Sequence, residues 1–159
     1  MDDGMNRADF LKGALAGGLG LGALLGAQPA LAQEGAEAGQ KTLVAITHGN
    51  DDPNRAILAL VLAQAAQQAG AAVRVWMTLA GADLAHAEKA AKVRSPIFHA
   101  FGDAASLLAK LHEGGAELGV CPPCAAYAGA TDEARPDYVP LRGGDWLHQE
   151  LAGARTIWL

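Results

Sequence analysis

The chain has 159 residues, 51% of them hydrophobic but only 5% aromatic, and a formal net charge of −5. That length suits one ordinary domain, and the apolar share excludes a disordered chain. No run of Lys or Arg occurs, which excludes a nucleic-acid or anionic-membrane partner held by charge.

Residues 1–32 differ from the rest. Arg7 and Lys12 precede "GALAGGLGLGALLGAQ", an uncharged Gly/Leu-rich run, and Ala30-Leu31-Ala32 places small residues where a signal peptidase reads. The run is shorter and richer in Gly than the ~20 apolar residues of a spanning helix. A leader cleaved after Ala32 is therefore expected, giving an exported, periplasmic-type chain with no stable membrane insertion. "NRADFLK" matches the second half of a twin-arginine signal, with Ala8 at the second arginine position, so the route, Sec-like or Tat-like, stays open. Residues 33–40 read as a flexible polar lead-in, and residues 41–159 as the folded domain.

"TLVAITHG" (42–49) reads as a buried strand. Asp52 and Pro53 then mark a helix start and Gly70 its end, predicting a helix from about Pro53 to Ala69. "AAVRVWMTL" (71–79) is a second strand. Residues 80–102 are harder to read: "HAEKAAKV" favours helix and Ser95-Pro96 breaks it, so a mobile flap and a short crossover helix both fit. Asp103 caps a helix whose Leu107, Leu108 and Leu111 share one face, and Gly114 ends it. "AELGV" (116–120) is a third strand, "YVPL" (138–141) a brief one, "GDWLHQEL" (144–151) a short helix and "RTIWL" (155–159) a final strand. The alternation predicts an α/β domain with a parallel sheet of about four to five strands and helices on both faces. No internal repeat and no second domain is visible. The first helix is apolar nearly all round from Ala56 to Ala63, which predicts self-association into a homo-oligomer.

Ligands gather at the carboxyl ends of strands in such sheets. Two loops leave there with unusual content, "HGNDDPNR" and "CPPCAAYAG", and they share one edge if their strands are neighbours. The second loop holds both cysteines, Cys121 and Cys124. With a helix starting at Pro123, Cys121 lies just outside it as the more exposed sulfur, and Cys124 in its first turn as the better stabilised one. Spacing leaves open which is the nucleophile. Four readings compete for the pair. A structural disulfide gains little from closing so short a loop. A metal site lacks a second ligand pair, the five histidines being scattered. A dithiol of the thioredoxin type has its motif earlier in the chain, and the fourth reading is sulfur carried as a persulfide. His48, Asn50 and Arg55 are candidate binding residues where the first loop faces Cys121, Arg55 as a partner for an anionic sulfur species. Asp51 and Asp52 read as helix caps, and Trp146 and His148 as packing residues. No metal and no cofactor is expected.

The stretch "TLVAITHGNDDPNRAILALVLAQAAQQAGAAVRVWMTLAGADLA" and the later "LLAKLHEGGAELGVCPPCAAYAGA" resemble the DsrE/DsrF-like proteins in the order and spacing of strand, loop, helix and cysteine loop. The resemblance covers about Lys41 to Leu159. It implies a doubly wound α/β fold, homo- or hetero-oligomers, a sulfur donor or acceptor protein as partner, and sulfur carried on a cysteine that maps onto Cys121. Family membership alone does not fix function. A periplasmic dithiol–disulfide protein and a binding or assembly module with a bracing cysteine pair are the alternatives.

Overall fold

Four parallel strands lie in the order β3-β2-β1-β4 in this computed structural model, which describes residues 39–159. The leader over residues 1–32 and most of the lead-in over 33–40 lie outside the described residues. Strand β1 (Lys41–Ile46) pairs with β2 (Ala72–Met77) from Lys41↔Ala72 to Ile46↔Met77, and with β4 (Arg155–Trp158) from Thr42↔Arg155 to Ala45↔Trp158. Strand β3 (Glu117–Val120) adds to the far side of β2, from Arg74↔Glu117 to Met77↔Val120. Residues 42–46 of β1 are all buried, as a strand covered on both faces requires.

Successive side chains of a strand point to opposite faces, and here they feed two cores. Val44 and Ile46 join Val75, Met77, Leu118 and Val120 in the larger one. It is covered by α1 (Pro53–Gln68), which buries Ile57 and Leu60, and by the later helix Ala104–Glu113, which buries Leu107, Leu108 and Leu111. Leu43, Ala45 and Trp76 face the other way, against Trp146 and Leu147 of the helix Gly144–Leu151. An ion-pair network fastens that last helix to the sheet: Glu150 meets Lys41 at 3.1 Å and Arg74 at 3.2 Å, and Arg74 also meets Glu117 at 2.8 Å. Helices therefore lie on both faces of a four-stranded sheet, the doubly wound arrangement.

Local chemistry sets the helix ends. The Asp52 side chain accepts a hydrogen bond from the Arg55 N–H and Pro53 opens α1, while Gly70 turns the chain with φ of 86°. Asp103 accepts from the Ser106 N–H in the same way.

Three expectations need correction. Residues 80–102 form neither a flap nor one crossover helix: a 3-10 turn (Leu79–Ala85), a single-turn helix α2 (Ala87–Ala90) and a second 3-10 turn (His99–Phe101) follow one another. Ser95 is buried and pins the segment, its hydroxyl donating to Asn54 at 2.7 Å and accepting from the N–H groups of Ile97 and Phe98. "YVPL" is no strand, because only Leu141 bridges, to Val120; Pro140 has no N–H with which to extend a ladder. Strands β1 and β3 are not neighbours, since β2 runs between them. In chain order the remaining helices are α3 (Ala104–Glu113), α4 (Pro122–Ala128) and α5 (Gly144–Leu151). Among the described residues no helix is long and apolar enough to cross a membrane.

Candidate functional site

Cys121 leaves β3 in extended geometry, with φ of −59° and ψ of 122°, the conformation a following proline favours. Its N–H donates to the Met77 carbonyl at 2.9 Å, which ties the cysteine loop to the end of β2. Helix α4 begins at Pro122, one residue earlier than expected. Both prolines occupy its first two positions, where a missing N–H leaves no helical bond unmade.

That start brings the two sulfurs together. Cys124 Sγ stands 3.2 Å from Cys121 Sγ, and both cysteines are free and half-buried. Two further contacts reach Cys124 from the end of β2: the Thr78 hydroxyl at 3.5 Å and the Leu79 N–H, which donates at 3.3 Å. Burial pushes the Cys124 thiol up, but the hydrogen bonds from Thr78, Cys121 and the Leu79 N–H outweigh it and bring the thiol below its ordinary value. Cys121 moves the other way. Burial, reinforced by its neighbour's sulfur, lifts it above the ordinary value despite favourable hydrogen bonds. The thiolate, the nucleophilic form, thus belongs to Cys124 first.

The backbone is strained where it serves that sulfur. Leu79 has φ of 51°, alone among the non-glycine residues described, a conformation that costs a leucine roughly 1–2 kcal/mol. It is held there by its surroundings: the Thr78 N–H donates to Ile46 O at 2.9 Å and the Gly81 N–H to Thr47 O at 3.0 Å. Gly81 and Gly49 allow this turn and the β1 loop to meet backbone to backbone; a Cβ at Gly81 would strike the Ile46 carbonyl, and one at Gly49 the Ala80 carbonyl. Strain of this kind is stored where a site needs a group aimed.

Beside Cys124 opens a cleft of about 530 Å³, lined also by Leu79, Ala80, Asp83, Pro123, Tyr127 and Ala128. Thr78, Leu79 and Tyr127 did not stand out in the sequence. The available signal was that "MTLAG" leaves the carboxyl end of a strand, where the other two loops were already flagged.

The first loop forms a separate constellation. His48 Nδ1 lies 2.7 Å from the Asp51 carboxylate, and Arg55 Nη1 donates to His48 Nε2 at 3.1 Å. Asp51 also accepts from the Gly49 N–H at 2.7 Å; burial raises its carboxyl, but this bond and His48 together hold it below the ordinary value. Asp52 caps α1 as expected, while Asp51 orients the histidine instead. Among the described residues no hydrogen bond joins His48, Asn50 or Arg55 to either cysteine, and the β2 turn intervenes. Nor does any group of three or more His, Cys, Asp or Glu residues stand close enough to hold a metal ion among them. Trp146 packs under Arg142, whose guanidinium carbon lies 5.7 Å from the ring centre.

Two solved structures share the fold. A protein of unknown function, MTH1491, from Methanobacterium thermoautotrophicum aligns with a TM-score of 0.58 at 12% identity, over 75% of this chain and 98% of that one. The ychN protein from E. coli aligns with a TM-score of 0.54 at 15% identity, over 76% and 99%. Comparison with curated protein sequences returns no match. The model of the DsrE/DsrF-like family matches residues 40–159, which takes in the sheet, the β2 turn and the cysteine loop alike. The chain belongs to the DsrE/DsrF-like family.

Proposed function

We propose that this protein takes up and hands on sulfane sulfur through Cys124 and Cys121. The observation that carries the reading is the hydrogen-bonded Cys124 sulfur in the wall of a cleft, with Cys121 Sγ 3.2 Å behind it. The place of Cys121 at the end of a strand beside a helix start, together with the resemblance, pointed to it as the bearer of sulfur. The donors around Cys124 favour it as the first acceptor, and Cys121 follows.

Each step balances. The Cys124 thiolate attacks the terminal sulfur of a donor R–S–SH; a new S–S bond forms, the donor's S–S bond breaks, and RS⁻ leaves. Cys121, once deprotonated, then attacks one of two sulfurs. At the outer one it takes the sulfur onto itself and Cys124 departs as thiolate, a good leaving group because its thiol is the more acidic. At the inner one it closes a Cys121–Cys124 disulfide and expels hydrosulfide, after which an external dithiol must reduce the pair. Intact-mass measurement on the reduced protein offered inorganic polysulfide tests the reading through a gain of one sulfur atom. The same proximity favours a second reading, a dithiol–disulfide protein, which would exchange with dithiols and disulfides but never gain sulfur.

Export and self-association complete the proposal, supported by the leader-like residues 1–32 and by the apolar helix α1. One preparation from the native host tests both. N-terminal sequencing is expected to begin at Gln33, and light scattering to give a multiple of the chain mass. An intact Met1 chain in the membrane fraction contradicts the first, and a monomer at micromolar concentration the second.

A further inference from the structure

The walls of the Cys124 cleft are mostly apolar. Leu79, Ala80, Pro123, Tyr127 and Ala128 supply apolar surface, and among the described residues no Lys, Arg or His lines it. The one carboxylate among the described lining residues, Asp83, is held by Lys89 at 2.7 Å, so these residues offer an anion no free counter-charge. Arg55, the cation the sequence assigned to an anionic sulfur species, is engaged with His48 and Asp52 on the other loop. Two apolar side chains flank the cleft while open to solvent, Leu79 at 67% and Tyr127 at 97% exposure. A cleft of about 530 Å³ is in the range of small-molecule sites.

We propose that the Cys124 cleft is built for small organic hydropersulfides, R–S–SH with an uncharged apolar R, and discriminates against donors with an anionic body such as thiosulfate or sulfonate-tailed persulfides. The inference rests on the sulfur-transfer reading above and names its substrate class. The apolar R lies along Leu79 and Tyr127 while its terminal sulfur meets the Cys124 thiolate. Transfer leaves Cys124–S–SH, and RS⁻ departs to take a proton from water.

The test is a matched pair of donors on the reduced full chain: benzyl hydropersulfide and the same compound bearing a ring sulfonate, with inorganic polysulfide as a third arm. Sulfur loading is timed by intact mass, and the benzyl-to-sulfonate rate ratio is compared with that of uncharged N-acetylcysteine amide at the same thiolate concentration, which removes the donors' intrinsic reactivity. A ratio about tenfold above the free thiol's is expected, the effect of covering one side of the benzyl group. Tyr127→Lys, which removes apolar surface and supplies a counter-charge for the sulfonate, is expected to bring the ratio back toward the free-thiol value. A wild-type ratio equal to or below the free thiol's overturns the selectivity; if inorganic polysulfide still loads, the sulfur-transfer reading stands without it. Failure of all three donors to load overturns both.

Discussion

With only one cysteine left at a time, the Cys124 sulfur will become thiolate at lower pH than the Cys121 sulfur. Cys121→Ser leaves Cys124, which keeps the Thr78 and Leu79 contacts and loses one from its neighbour; it will react with iodoacetamide at lower pH than a free thiol. Cys124→Ser leaves Cys121, whose thiol burial lifts, and its rate will rise only at higher pH. The sign follows from chemistry: alkylation tracks the thiolate fraction, which grows as pH passes the thiol's pKa, so the lower-lying group reacts first. At pH 7 the Cys121→Ser protein is expected to alkylate faster than the Cys124→Ser protein, because more of its remaining sulfur is thiolate. Coincident profiles, or an earlier rise for the protein that retains Cys121, contradict the assignment of the thiolate to Cys124.

A methyl group at Gly81 will be felt in stability and at the sulfur together. The added Cβ meets the Ile46 carbonyl, which already accepts from the Thr78 N–H. Relief requires the turn to move off β1, breaking the Thr78 and Gly81 hydrogen bonds and withdrawing the Leu79 N–H from Cys124. Overpacking against backbone, with two hydrogen bonds lost, gives a cost on the order of 3 kcal/mol for Gly81→Ala. Denaturant unfolding measures it, with Gly144→Ala as control, since nothing lies within 4 Å of a Cβ there. A loss below about 1 kcal/mol for Gly81→Ala would mean the close approach is not tight.

The difference between these two sites shows what was legible in the sequence. Helix α1 announced itself through Asp52 and Pro53, and α3 through Asp103 and its leucine face, because caps and periodicity are local. Alternation of strands and helices gave the parallel sheet. Strand order was not legible, since nothing local tells β1 that β2 lies between it and β3. With β2 between them, the two flagged loops share no hydrogen bond among the described residues, and His48 bonds Asp51 and Arg55. The cysteine pair was visible by spacing, but its electrostatics come from Thr78 and Leu79, which reach Cys124 across 46 and 45 residues. Leu79 offered no signal of its own, because leucine in left-handed geometry is imposed by packing rather than by preference.

The most direct measurement weighs three reduced proteins after separate exposure to inorganic polysulfide and to benzyl hydropersulfide: wild type, Cys121→Ser and Cys124→Ser. Sulfur uptake through Cys124 predicts a gain of one sulfur atom in wild type, a longer-lived gain in Cys121→Ser, where nothing is left to attack the persulfide, and none in Cys124→Ser. A gain that survives in Cys124→Ser and vanishes in Cys121→Ser would make Cys121 the acceptor. No gain in any of the three from either donor, with the wild-type pair still exchanging with a dithiol, would contradict sulfur transfer itself.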